Sequence, residues 1–196
     1  MRTIVIASNN QGKIKEITAV LAPLNFKIKS LSDFHLPTVA ETGLTFIENA
    51  LIKARHAAQH TGLPALADDS GLAVASLQGR PGIHSARYGG TDATSSQRIH
   101  KLLEELNGFP LEQREAYFYC VMVFLKNPLD PAPIISEGRW EGSILFSPQG
   151  TQGFGYDPIF YVPTHHCSAA ELPLNEKNKI SHRGLALQKL QEKVFP

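Results

Sequence analysis

Four polar islands interrupt an otherwise apolar chain: Ser8 to Lys13, Glu41 to Lys53, Asp68 to Ser70 with Ser85 to Gly90, and Gly150 to Asp157 with Lys177 to Arg183. The acidic pair Asp68 and Asp69 is the sharpest of them. Two adjacent carboxylates between the apolar runs Pro64–Ala67 and Leu72–Leu77 incur repulsion and desolvation, which a fold rarely accepts unless a cation or a proton is involved. Mg²⁺ is the cation the pair suggests. Successive residues of a strand point to opposite faces, so one carboxylate faces a given cleft and the other caps a turn. An Asx-turn role for both is the structural alternative.

In the first island, Ser8, Asn9, Asn10, Gln11, Gly12 and Lys13 join a strand to a helix. Unpaired backbone N–H groups, a positive helix end and an ammonium can meet a phosphate there. The spacing G-x-x-x-x-G-K-[ST] is absent, so this is no P-loop, and an ordinary polar turn has the same composition. The second island opens with Glu41, Thr42 and Gly43 and runs into a helix on which Glu48, Asn49, Lys53 and Arg55 are polar. A solvated helix face accounts for most of these. Lys53, beside the small residues Ala50, Ala54 and Ala57, has room to send its ammonium along a groove.

The glycine-rich fourth island carries Phe154, Gly155, Tyr156 and Asp157. An aromatic on glycine hinges suits base stacking; a tight turn whose rings fold back on the core is the alternative. Ser181 reads as the N-cap of the last helix, where His182 and Arg183 oppose the helix dipole, a mild mark of function. Ser85 to Gly90 reads as a neighbouring mobile loop. His165, His166 and Cys167 are too close together to converge on one ion and read as a surface loop.

These islands lie at the ends of elements that periodicity marks out. Arg2 to Ala7 reads as a strand, followed by a helix with Ile14, Ile17 and Leu21 on one face, then a β-like stretch from Phe26 to Leu31. Leu44 to His60 reads as a long helix ended by Gly62 and Pro64. The runs on either side of the acidic pair read as two strands. Ile99, Leu102, Leu103 and Leu106 define a helix with a Thr94–Gln97 capping box and a stop at Gly108. Glu115 to Leu125 reads as a buried strand, and Ile134 to Phe146 as a long strand or hairpin bent at Gly138 and Gly142. Pro158 to Val162 adds a strand and Ser181 to Val194 a closing helix. This order favours an α/β or α+β sheet protein.

With 196 residues, 42% of them hydrophobic and 19% charged, the chain has enough apolar material for a core. A net charge of +1 supplies no global field for gripping nucleic acid or an anionic membrane. No apolar run approaches the roughly 18 residues of a membrane span, so a soluble cytoplasmic protein is expected. Cys120 and Cys167 suggest neither a disulfide framework nor a zinc site.

Taken together, the islands resemble the inosine triphosphate pyrophosphatase family, the non-standard purine nucleotide pyrophosphatases of the XTP/dITP type. The resemblance is carried in order by Ser8 to Lys13, Glu41-Thr-Gly43, Phe46 to Ala50, Lys53, Asp68 to Leu72, Pro81-Gly82 and Ser85 to Tyr88. It continues through Gly153 to Phe160, Ala170 to Leu172, Glu176 to Asn178 and Ser181 to Arg183. His84 departs from it, standing where relatives often carry an aromatic.

The resemblance implies one domain over 1–196, an elongated α/β fold whose mixed central sheet has flanking helices and two lobes around a nucleotide-binding cleft, and a homodimer. It implies Mg²⁺-dependent hydrolysis of ITP, dITP and XTP to the monophosphate and pyrophosphate. Asp69 is then the proton acceptor, Glu41 and Asp69 the metal carboxylates, and Ser8 to Lys13, Lys53, Ser70 and Lys177 substrate contacts. Phe154 is the stacking ring, with Gly155, Tyr156, Asp157, His182 and Arg183 around the base. A pyrophosphatase for modified pyrimidine or damaged guanine nucleotides, and a non-enzymatic purine nucleotide sensor, are the competing readings.

Overall fold

A computed structural model describes residues 3–24 and 26–194. Strand β1 (Thr3–Ile6) buries Ile4, Val5 and Ile6 and leads into helix α1 (Gln11–Leu21), whose buried face includes Ile17 and Leu21. Arg2, in the expected first strand, lies outside the described residues. Strand β2 (Lys27–Ser30) stops short of Leu31, because the Asp33 carboxylate accepts from Ser30 N at 2.7 Å and draws Leu31–Phe34 into a 3-10 turn.

Helix α2 (Phe46–Thr61) starts two residues later than periodicity predicts. Thr45 is its N-cap, Glu48 completes a capping box, and Gly62 at φ 68° ends it.

The expected two strands are one ten-residue strand, β3 (Ala65–Val74), which runs straight through Asp68 and Asp69. Both carboxylates meet cations, so their charge does not interrupt the ladder.

Helix α3 (Ser95–Glu105) has the expected Thr94–Gln97 capping box but closes before Gly108, on Leu106. Strand β4 (Glu115–Leu125) has the expected bounds. Strand β5 (Ile134–Ile144) is continuous, since buried Ser136, Gly138 and Trp140 alternate without a break with exposed Glu137, Arg139 and Glu141. Pro158, which lacks an N–H, lies in a 3-10 turn, Asp157–Ile159, so β6 is only Phe160–Val162. The chain closes with β7 (Cys167–Ser168), α4 (Leu174–Ile180) and α5 (His182–Val194). Periodicity gave no sign of β7 or α4, which are two and seven residues long.

The strands form one open mixed sheet in the order β2-β1-β3-β4-β5-β6-β7. β1 pairs in parallel with β2 and β3, whereas β5–β6 and β6–β7 are antiparallel.

The chain divides into two compact units, the first comprising the described parts of 1–69, 120–138 and 182–196, the second 70–119 and 139–181. Each has its own core. In the first, Ile4, Ile6, Ile17, Leu21, Leu66, Met122 and Leu187 pack together. In the second, Leu72, Leu102, Phe118, Trp140, Tyr156 and Phe160 do so, with Phe118 and Phe160 at 4.6 Å between ring centroids. No helix among the described residues is long and apolar enough to cross a membrane.

Candidate active site

Asp68 and Asp69 lie in extended backbone, so their side chains diverge as sequence alternation requires. Asp68, expected to cap a turn, is instead buried among cations. Its Oδ2 is 2.9 Å from Lys13 Nζ and 3.1 Å from Arg183 Nη2. Helix α1 brings Lys13 and Glu16, and the first turn of α5 brings Arg183, whose Nη1 donates to Glu16. The result is a row of alternating charge, Lys13, Asp68, Arg183, Glu16, buried except at Lys13.

Burial opposes ionisation of Asp68, but Lys13, Arg183 and Lys53 outweigh it and hold the carboxyl well below the usual range. Burial likewise works against the Arg183 cation, and Asp68 and Glu16 more than compensate. Their charges also offset the unfavourable placement of an arginine at a helix start.

Asp69 faces a second cluster. Lys53 Nζ from α2 donates to Asp69 Oδ1 at 2.6 Å and to Glu41 Oε1 at 2.8 Å. Lys53, Asn49 and Arg55 are therefore not on a solvated face: Asn49 is fully buried, and Arg55 donates to the carbonyls of Pro128 and Asp130. Asp69 Oδ2 is buried and has no hydrogen-bond partner among the described residues. Burial pushes the Asp69 pKa up, and Glu41 adds to the rise against the pull of Lys53. Lys53 stays protonated because Asp69, Asp68 and Glu41 together outweigh its burial.

This cluster fits a hard divalent cation. Two carboxylates already converge on one positive centre, and Asp69 keeps an unused oxygen. No group of three or more His, Cys, Asp or Glu residues forms a metal cage among the described residues. One or two carboxylates completed by water and phosphate oxygens is the usual Mg²⁺ arrangement.

The first island forms the approach to α1. Ser8 Oγ accepts from Asn10 N at 3.1 Å, and Asn10 caps the helix by accepting from Lys13 N. Asn9, Asn10 and Gln11 are exposed, while Ser8, Gly12 and Lys13 are half-buried. His182, the first residue of α5, is buried.

The second unit holds the other predicted residues. Asp157, 3% exposed, accepts from Phe154 N at 2.8 Å and from the buried Lys177 Nζ at 2.6 Å. That ammonium also lies 5.0 Å from the Phe154 ring centroid. Gly153, at φ 74°, is required here, because a Cβ would collide with the Asp157 carboxylate. Phe154 and Gly155 are half-buried, whereas Tyr156 joins the core and donates to the Ser85 carbonyl at 3.0 Å. Tyr156 thus follows the alternative in which a ring folds back on the core. Ser70 is half-buried on β3. Ser85 to Arg87, the start of the expected mobile loop Ser85 to Gly90, belong instead to a 3-10 turn, Gly82–Arg87, in which Ser85 Oγ accepts from Leu72 N at 2.9 Å. His165 and His166 are exposed, as expected, whereas Cys167, expected in the same surface loop, opens strand β7 and is half-buried.

Sequence reasoning missed Glu16 and the burial of Asn49. The available signals were spacings: Glu16 lies one turn after Lys13, and Asn49 one turn before Lys53 beside the alanine stripe.

An open mixed sheet bearing a buried pair of carboxylates, each answered by a lysine, defines an α/β protein with a charge-paired centre on its third strand. The Ham1 family model matches residues 4–193, and the chain belongs to the Ham1 family. It is 56% identical to the dITP/XTP pyrophosphatase of Photobacterium profundum, with 97% of this chain and 96% of that protein covered. To the dITP/XTP pyrophosphatase of Vibrio cholerae it is 53% identical, with 97% and 95% covered. Among solved structures, a HAM1 protein from Coxiella burnetii superposes with a TM-score of 0.90 at 52% identity, covering 99% of this chain and 98% of that one. The Staphylococcus aureus Ham1 protein gives 0.85 at 40% identity, with 98% of each chain covered.

Proposed function

We propose that this protein hydrolyses the non-standard purine nucleotides ITP, dITP and XTP to the monophosphate and pyrophosphate. The observation that carries the reading is Asp69: a buried carboxylate with a raised pKa and an unpartnered oxygen, fixed through its other oxygen by Lys53. Such a group accepts a proton from an attacking water more readily than an exposed aspartate. Relatives at more than half identity over nearly the whole chain carry the name dITP/XTP pyrophosphatase, which supports the substrate class.

In this reading Asp69 Oδ2 orients the water and takes its proton as the water oxygen bonds to phosphorus. The phosphoanhydride bond breaks toward pyrophosphate. Lys53 keeps Asp69 in one rotamer and, with Lys13 and the positive N-terminal end of α1, offsets charge on the triphosphate. Glu41 and Asp69 would hold Mg²⁺, which when bound would add charge neutralisation on the departing pyrophosphate.

Phe154 provides the stacking face for the base, set by the Asp157–Lys177 pair. The donors of Arg183 are engaged by Asp68 and Glu16, so its influence on the C6 carbonyl runs through His182 at the start of α5. Lys177 supports Phe154 and the substrate together. A homodimer working in the cytoplasm completes the reading, on the strength of the family membership.

Incubating the protein with dITP and Mg²⁺ and resolving the products tests it. Equal amounts of dIMP and pyrophosphate are expected; dIDP with orthophosphate would refute it, and binding without turnover would leave a nucleotide sensor.

A further inference from the structure

We propose that Asn49 is a positioning residue for Glu41, holding the loop that carries this carboxylate against α2 in the geometry that receives a divalent cation. The proposal rests on the reading of Glu41 and Asp69 as a cation-binding pair. Asn49 is fully buried in the first turns of α2, and its Oδ1 accepts from Gly43 N at 2.8 Å. Glu48, its neighbour, accepts from Leu44 N and Thr45 N at 2.9 Å each. Three successive backbone donors of the loop are thus fastened to two side chains of the helix they lead into.

The loop lies close against the helix. A Cβ on Gly43 would stand 2.6 Å from Glu48 Cβ and 2.8 Å from Asn49 Oδ1, so only glycine fits without movement. Two residues earlier, Glu41 meets Lys53 at 2.8 Å, one helical turn beyond Asn49. The same loop is therefore held twice from one helix, by its backbone at Gly43 and by its carboxylate at Glu41.

The amide orientation follows from the Gly43 donor. This leaves Asn49 Nδ2 buried without a hydrogen-bond partner among the described residues. A capping or packing role alone does not require that donor. Beside a cation site it is available to a water of the cation's shell.

The test uses the full chain without nucleotide and separates the contact from catalysis. Amide hydrogen exchange by NMR reads the Gly43 N–H, and electron paramagnetic resonance of Mn²⁺ reads the cation site. Asn49→Ala is expected to speed Gly43 exchange and weaken Mn²⁺ binding by about tenfold each, the equivalent of about one net hydrogen bond. Exchange at Ala54 and Ala57 in the same helix should not change. Asn49→Asp keeps the acceptor and is expected to preserve the Gly43 exchange rate within about threefold. Gly43→Ala, which displaces the loop with Asn49 intact, should weaken Mn²⁺ binding as Asn49→Ala does.

Unchanged Gly43 exchange in Asn49→Ala would overturn the proposal, as would faster exchange with unaltered Mn²⁺ affinity. Equal acceleration along all of α2 would reduce Asn49 to a general stabiliser and overturn it too. If the unsubstituted protein binds no Mn²⁺, the underlying cation reading fails, which the Gly43 data distinguish from a failure of the Asn49 contact.

Discussion

Replacing Arg183 by alanine should unfold this protein more than it disturbs any surface property. Arg183 is 2% exposed, and its guanidinium serves both Asp68, from Nε and Nη2, and Glu16, from Nη1. Asp68 has a fully buried side chain, and removing Arg183 takes away one of the cations that hold it, while Lys13 remains at 2.9 Å. Removing one partner of a buried ion pair costs about 3–5 kcal/mol, because the carboxylates are left in a poor solvent. At about 2–4 °C per kcal/mol for a chain of this size, the melting temperature should fall by about 6–20 °C.

The pH dependence adds a sign. In the unsubstituted protein the Asp68 pKa is depressed, so its contribution is complete above the unfolded value, about 3.9, and is lost as pH falls through the folded one. Without Arg183 the balance at Asp68 moves toward protonation. The deficit should then be greatest near neutrality and narrow only as the pH falls below about 4, where the Asp68 contribution of the unsubstituted protein is itself lost. Urea unfolding of both proteins at several pH values measures this. A melting temperature within about 2 °C of the unsubstituted protein, or a deficit independent of pH, would refute the reasoning.

Four further outcomes follow from the site. Asp69→Asn should lower turnover of dITP by about 10²- to 10⁴-fold in a folded protein, as steady-state kinetics would read. Because the Asp69 pKa is raised and the base works deprotonated, activity should fall with decreasing pH before an ordinary aspartate protonates; a pH profile of kcat/KM checks this. Glu41→Gln should raise the Mg²⁺ concentration needed for half-maximal rate, visible in a metal titration, by removing one of two carboxylates. Phe154→Ala should weaken dITP and dATP binding by similar factors, worth about 1–3 kcal/mol, since stacking is nearly blind to ring substituents; competition binding would show it.

Much of this was legible because charge in an apolar strand is conspicuous. Asp68 and Asp69 stand out between Leu66 and Leu72, and strand alternation sent them to opposite faces as the structure has them. Thr94 and Gln97 declared their helix start through side-chain chemistry that acts over three residues. What was not legible depended on distant partners. The acidic pair read as a break between strands because Lys13, Arg183 and Lys53, which make a continuous β3 possible, are remote in sequence. Arg183 read as a charge misplaced at a helix start, since nothing local announces Glu16 and Asp68 beneath it. Asn49 looked like one polar residue among several on a helix; its bond to Gly43 exists only once the loop folds back.

The account stands most directly on one comparison: kcat/KM for dITP, XTP, dATP and dGTP with Mg²⁺, measured in parallel for the unsubstituted protein and Asp69→Asn with pyrophosphate as the product followed. The account predicts strong preference for dITP and XTP, with turnover of both falling together in Asp69→Asn. Equal turnover of dATP and dGTP, or near-normal pyrophosphate release by a folded Asp69→Asn protein, would contradict it.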